Sequence, residues 1–266
     1  MNISQYIEKI PFSTGCSVVK FDGCGLIAIN KKAGRATHPN PREHSGAKPP
    51  MVRADYNFKG EYYSWKDESG EVLNLYLINR LDSPTSGIVM ASAVKEVADA
   101  AKKAFREKSV LKTYISVLIG RLKSEKGTWT DYLKETSQNG FVRSAPSQNA
   151  GGMKAMTNFR VVASGKGVPA LTLAELMPQT GLTHQLRAQA AKHSAPILGD
   201  ATYGNFKINK LVRARTKINR LFLHCAKTEL KINIADKQIC FCAEVPPPDI
   251  FENILKLNDN PRFNQF

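Results

Sequence analysis

Three short stretches carry side chains whose types and spacing could do chemistry. The first, Asn79-Arg80-Leu81-Asp82-Ser83-Pro84-Thr85-Ser86-Gly87, sets a cation and a carboxylate two positions apart in a turn rich in Ser, Pro and Gly. Such a carboxylate can serve as general base or nucleophile. It can equally close an Asx turn by accepting a backbone N–H two residues on. The second stretch, Val110 to Gly120, places Lys112, Tyr114 and Ser116 at alternate positions. In a strand these share one face, opposite Leu111, Thr113, Ile115 and Val117. From the residues alone, Tyr114 reads as a cross-strand packing ring. The third, Thr180-Gly181-Leu182-Thr183-His184-Gln185-Leu186-Arg187, ends in a guanidinium four residues after Thr183, so the two share a face if the segment is helical.

The elements that must position these groups can be read around them. Apolar runs at Leu73 to Ile78 and Ile88 to Met90 flank the first stretch and predict two buried strands joined by its turn. Gly25 to Asn30 predicts a strand that enters the turn Lys31-Lys32-Ala33-Gly34. Residues 39 to 50 hold four prolines among Arg42, His44 and Lys48, which argues against regular structure there. Tyr56 to Trp65 is dense in aromatics and reads as a hairpin, its rings either packed on the sheet or free to stack on unpaired bases. Ser92 to Lys108 carries Val94, Val97, Ala98, Ala101, Ala104 and Phe105 at helical spacing, with Ser92 as the expected N-cap. Val110 to Gly120 is a strand. Short strands follow between residues 127 and 164, including Gly140 to Arg143 and Ala155 to Val162, and Pro169 to Met177 adds another. Strands in succession without a helix pair antiparallel, since a parallel neighbour needs a crossover of about a dozen residues or more. Gly181 should end a strand and Thr183 cap a helix running toward His193. The expected class is α+β, a mostly antiparallel mixed β-sheet core flanked by helices, with residues 1–24 an N-terminal extension and 25–266 a single catalytic domain.

The formal net charge is +15, from 38 Lys and Arg against 23 Asp and Glu. Such a field concentrates polyanions. The cations Lys102, Lys103, Arg106 and Lys108 suit the negative end of the expected helix, and either face solvent or line an RNA path. No apolar run approaches the roughly 20 residues that a spanning helix needs, and no secretory signal opens the chain, so a soluble cytoplasmic protein without membrane contact is expected. Five cysteines lack any Cys-x-x-Cys pair and five histidines are scattered, which excludes the usual zinc patterns. The cysteines are expected reduced.

The Asn79 to Gly87 turn resembles the central motif of the RluA family of pseudouridine synthases, His-Arg-Leu-Asp, two variable residues, then Thr-Ser-Gly. Arg80, Leu81, Asp82, Thr85, Ser86 and Gly87 match, and Asn79 stands in place of His. Lys112 and Tyr114 resemble the second motif, Lys-x-Tyr in a strand closed by Gly. The third stretch resembles Thr-Gly-Arg-Thr-His-Gln-Ile-Arg, with Leu182 replacing Arg and Gln189 where a His is common, followed by Pro196-Ile197-Leu198-Gly199-Asp200 and Tyr203-Gly204. Leu223-His224 matches the closing strand, where Cys225 departs; His38-Pro39 and the Lys31 turn, with Lys32 for Pro, match the opening. The likeness runs from about Gly25 to about Leu257.

That resemblance implies the pseudouridine synthase catalytic fold and an isomerase converting specific uridines in ribosomal or transfer RNA, needing no cofactor and no metal. It makes Asp82 the catalytic carboxylate, with Arg187 paired to it and Tyr114 under the uracil. Arg80 would enter the stack vacated by a flipped uridine. Lys112, Thr183, His184, Gln185 and Leu223 complete the expected RNA-binding set, Leu223 through apolar packing. The expected state is a monomer. A competing reading is an RNA-binding protein or RNA-folding chaperone on the same fold with little or no catalysis. A metal-dependent nuclease lacks clustered carboxylates to hold magnesium.

Overall fold

The computed structural model describes residues 2–40, 48–138, 141–147, 151–234 and 237–260. Arg42 and His44 of the proline-rich loop, and Gly140 of the expected 140–143 strand, lie outside the described residues. The elements begin α1 (Ile3–Glu8), β1 (Ser17–Phe21), β2 (Leu26–Lys31), β3 (Asp55–Asn57), β4 (Tyr62–Lys66), β5 (Val72–Leu77), β6 (Ser86–Ser92) and α2 (Lys95–Arg106). They continue β7 (Leu111–Ile119), β8 (Lys126–Gln138), β9 (Phe141–Pro146), β10 (Met153–Ser164), β11 (Leu171–Pro178) and α3 (Gln185–Lys192). The last are α4 (Phe206–Thr216), β12 (Leu223–Ile234), β13 (Lys237–Glu244) and α5 (Ile250–Asp259). The class is α+β, mostly sheet with helices. No helix among the described residues is long and apolar enough to cross a membrane.

The chain divides into two compact units, Met1–Leu111 with Cys225–Val245, and Lys112–His224 with Pro246–Phe266. In the first, β2 and β6 pair antiparallel from Leu26 opposite Ser92 to Lys31 opposite Gly87, and both are apolar on both faces. Strands buried on two sides read as continuous hydrophobic runs, which is why the sequence shows no alternation here. The aromatic segment is the expected hairpin, β3 against β4 with Asp55 opposite Ser64. Its Tyr63 is fully buried, whereas Phe58, between the strands, is 49% exposed. Helix α2 buries Val97, Ala98, Ala101 and Ala104. It starts three residues later than Ser92: that residue still belongs to β6, its hydroxyl donating to the Gly25 carbonyl (2.9 Å) and accepting from the Val94 N–H (3.0 Å). A side chain so engaged in the strand cannot cap the helix, and Val94 is the N-cap with no side-chain bond.

In the second unit the strand order is β7-β11-β10-β8-β9, and these pairings are antiparallel. The 127–164 region holds two long strands, β8 and β10, with the short β9 between them in sequence. Gly127 does not interrupt β8 because it faces the Phe159 ring of β10, where an added Cβ would lie 2.8 Å from the ring edge. Helix α5 buries Phe251, Ile254 and Leu255. All five cysteines are free.

Candidate active site

The Asp82 loop belongs to the first unit and is fixed from beneath. Thr37 holds Leu81 twice, its hydroxyl donating to the Leu81 carbonyl (2.8 Å) and accepting the Leu81 N–H (3.1 Å). Two residues further on, the ammonium of Lys31 donates to the carbonyls of Ser83 (3.2 Å) and Thr85 (2.6 Å), and on its other side to Arg35 (2.7 Å). Asp82 sits between these anchors, half-buried. Its own carbonyl accepts the Thr85 N–H at 3.0 Å, closing the turn. At the near end, the Asn79 side chain accepts the Met90 N–H at 2.7 Å, tying the loop to β6. At the far end, Gly87 takes φ +107°, and an added Cβ would fall 2.2 Å from the Cys225 carbonyl oxygen. Only glycine fits there, both by backbone angle and by space.

Lys31 is fully buried. Burial pulls its pKa down to about 7, against the opposing pull of Cys16 and the Asp82 carboxylate toward the charged form. Sequence reading placed Lys31 in a surface turn and missed it. The one signal in the sequence was its place at the end of a mostly apolar strand; its register opposite Gly87 is set by the fold.

Beside the loop, Arg80 is exposed and its guanidinium lies 3.2 Å from His38 Nε2. His38 stacks on Tyr56 at 5.2 Å between ring centres, and Phe58 meets Tyr56 edge-on at 5.0 Å. A cation and a row of rings thus line this surface. The hairpin serves both readings of its aromatics, with Tyr63 in the core and Phe58 toward solvent.

The second unit carries the other sequence candidates. Tyr114 lies in β7 opposite Leu176 and is buried. Lys112, on the same face of β7, brings its ammonium within 3.8 Å of where a Cβ on Gly181 would stand, so β7 and the 180–187 loop meet there. Arg187 is buried and held by a bidentate pair, Nε to Asp200 Oδ2 (2.8 Å) and Nη2 to Asp200 Oδ1 (2.9 Å), with Thr202 Oγ1 a further acceptor at 3.1 Å. Its guanidinium also lies over the Tyr203 ring at 5.3 Å. Burial pushes the Asp200 carboxyl up, but Arg187 and the N–H groups of Tyr203 and Thr202 outweigh it, and the carboxyl is held below its ordinary value. Asp200 was quoted in the sequence as motif only; its role as the anchor of Arg187 required coordinates.

Helix α3 begins differently from the sequence expectation. Thr183 is not its cap: the N-cap is His184, in left-handed backbone at φ 53° with no side-chain cap bond. That conformation costs a residue with a Cβ on the order of 1 kcal/mol. It is held by His184 Nδ1 against the Tyr203 hydroxyl (3.1 Å) and by Ser144, whose hydroxyl donates to the Thr183 carbonyl. The turn that leads into the helix is tied down by Gln185. Its Oε1 accepts from Thr180 Oγ1 (2.7 Å) and the Leu182 N–H (3.1 Å), and its Nε2 donates to the Met156 carbonyl (3.1 Å). Gln185 is buried and its amide clamps α3 to β10; Leu223 is buried too. Both are internal, whereas Thr183 and His184 are half-exposed. Gln189, where a His is common, is likewise internal: its Nε2 donates to Asp131 (2.8 Å) and its Oε1 accepts from Thr157 (2.7 Å). Among the described residues no group of three or more His, Cys, Asp or Glu could hold a metal ion.

The first unit thus offers a half-buried carboxylate on a pinned loop, and the second a buried tyrosine on a strand and an arginine locked by a carboxylate. Residues 25–192 match the family model for RNA pseudouridylate synthase. The chain therefore belongs to that family, in its RluA type, whose members isomerise uridine to pseudouridine in RNA. Among its relatives is an uncharacterized RNA pseudouridine synthase of Bacillus subtilis (strain 168), YhcT, 30% identical over 90% of this chain and 71% of its own length. The tRNA pseudouridine synthase C of Pasteurella multocida (strain Pm70) is 29% identical over 83% of this chain and 88% of its own. The ribosomal large subunit pseudouridine synthase C of Vibrio vulnificus (strain CMCP6) is 30% identical over 76% and 57%. Among solved structures, human RNA pseudouridylate synthase domain containing 1 superposes with a TM-score of 0.63 at 20% identity, covering 89% of this chain and 86% of that one. Its human counterpart, domain containing 4, gives 0.59 at 21%, over 96% and 94%.

Proposed function

We propose that this chain modifies a small set of uridines in transfer or ribosomal RNA, with Asp82 as the catalytic carboxylate. Relatives named for both RNA classes support that breadth. The observation that carries the reading is the Asp82 loop itself: a half-buried carboxylate whose neighbours on both sides are pinned through Thr37 and Lys31. Preorganised groups of this kind lower a barrier because no reorganisation is needed at the moment of reaction.

Pseudouridine formation breaks the bond from ribose C1′ to uracil N1, turns the base, joins C1′ to uracil C5 and releases the C5 proton, so N1 ends protonated and no atom is gained or lost. Asp82 acts on the sugar, as nucleophile on C1′ or as base for the C2′ proton. A primary isotope effect on uridine deuterated at C2′ identifies the base. Tyr114 stacks on the uracil and Arg187 supplies the cation of the catalytic set. The target is flipped out of its stack at a cost of a few kcal/mol. Arg80, exposed beside His38, Tyr56 and Phe58, fills the gap, and this aromatic surface within the 39–70 segment contributes to target choice. The enzyme works as a monomer without metal.

Pseudouridine mapping in total RNA from cells lacking the protein tests this, with complementation by wild type or by Asp82→Ala. The expected result is loss of one or a few sites that wild type alone restores. Restoration by the Asp82→Ala chain overturns the assignment of that carboxylate, and persistence of every site in the deleted strain overturns the isomerase reading.

A further inference from the structure

Helix α4 has an asymmetry that the catalytic residues do not explain. Its N-cap is Asn205, whose side chain accepts the Ile208 N–H at 3.1 Å, and Val212 is buried. On the opposite side Lys207, Lys210, Arg213 and the C-cap residue Lys217 are exposed, with Phe206, 63% exposed, among them. Spacings of three, three and four residues put these cations on one face, over about 15 Å of helix. No Asp or Glu occurs from Asn205 to Arg220. Among the described residues none of the four cations forms an ion pair. Helix α2, the other strongly basic helix, differs: Lys95 pairs with Asp99, Lys102 with Glu61 and Lys103 with Glu107.

The helix itself gains nothing from this arrangement at its start. Lys207 and Lys210 lie in its first half, where the macrodipole is positive, and its first turn holds no acidic residue to offset them. An anion on this face would reverse that penalty. The helix is also fastened to the loop that locks Arg187: Asn209 Oδ1 accepts the Gly199 N–H and Asn209 Nδ2 donates to the Asp200 carbonyl, each at 2.9 Å.

We propose that the exposed face of α4 is a docking surface for the phosphate backbone of the RNA substrate. Four unpaired cations along about 15 Å match the charge spacing of a nucleic-acid strand. Phe206 offers an aromatic face to a base or sugar at the start of the row. This rests on the RNA reading above.

The test compares Lys207→Gln/Lys210→Gln/Arg213→Gln/Lys217→Gln with a control that removes the same charge from α2, Lys95→Gln/Lys102→Gln/Lys103→Gln/Arg106→Gln. Binding to bulk transfer RNA is measured as a function of salt, alongside thermal melting. The α4 variant should melt like wild type, bind at least tenfold more weakly at low salt, and show a log–log salt slope less steep by about three to four. The control should keep most of the wild-type slope. Equal slopes for wild type and the α4 variant overturn the proposal, as does an equal loss in both variants, which would mark a response to net charge alone. Wild-type protein that binds no RNA overturns instead the functional reading on which it rests.

Discussion

Lys31 and Arg187 are both buried cations, one in each unit, and they are satisfied by partners of different kinds. Lys31 is surrounded by neutral carbonyls, those of Arg35, Ser83 and Thr85. Arg187 has a countercharge, the bidentate carboxylate of Asp200. Carbonyl dipoles hold a chain in place without adding a second charge, and they leave the cation titratable. Burial brings Lys31 down to about 7. A carboxylate instead fixes the charge outright, at the risk that removing it strands an ion in the interior. The Asp82 loop is thus organised by neutral acceptors around one proton-sensitive group, while the loop behind Arg187 is organised by an ion pair.

Three measurements can break or sharpen that contrast. The largest effect is expected from Asp200→Ala, which removes the bidentate carboxylate from the buried Arg187 guanidinium and frees the Thr202 and Tyr203 N–H groups from it. A loss of about 3–5 kcal/mol in urea unfolding is expected. A loss under about 1 kcal/mol would show that Asp200 is not what holds Arg187. Next comes Lys31→Met, which keeps the apolar stem and removes the donor. Its orphaned carbonyls should cost on the order of 1–3 kcal/mol, and kcat should fall more than KM rises as the Asp82 loop loosens. Increased stability would mean that burying the ammonium costs more than its carbonyls return.

The smallest and most diagnostic effect is in pH. The native state binds fewer protons at Lys31 than the unfolded chain between about pH 7 and the ordinary lysine value of 10.5, so stability should rise with pH across that window. Asp200 acts at the other end. Its carboxyl is held low, so its contribution is complete above the ordinary value of 3.8 and disappears as pH falls through its folded value. Urea midpoints against pH should show both limbs in wild type and only the acid limb in Lys31→Met. An alkaline rise that survives the substitution assigns it to another group.

Much of this was legible in the chain. The strands flanking Asn79–Gly87, the hairpin at Tyr56–Trp65, the α2 helix and the run of antiparallel strands follow from apolar periodicity and turn residues, which act locally. What stayed hidden depends on contacts distant in sequence. Ser92 has the chemistry of a cap but its hydroxyl is already used across the sheet by Gly25. Thr183 stands where a cap belongs, yet no side chain caps this helix: the chain enters it through a left-handed His184, and the Gln185 amide holds the Leu182 N–H ahead of it. Lys31 looks like one more surface lysine until register puts it beneath Ser83 and Thr85. The cations of α2 and α4 are indistinguishable by composition, and only coordinates show that Glu61 and Glu107 neutralise two of the first set.

The first unit is assembled from two separated segments, and this has a consequence in the order of synthesis. Strand β12 lies beside β6, and Gly87 backs directly onto Cys225. When Leu111 leaves the ribosome, β2 already lines one edge of that stretch of β6, but the edge that β12 will cover is still open. At ordinary translation speeds the missing strand arrives roughly 6 to 23 s later, after the Lys112–His224 segment of the second unit has been made. A short-lived bare strand edge in a nascent chain is a site for chaperone capture or mispairing. The edge of β6 next to the Asp82 loop is therefore closed only when the second segment of its own unit arrives.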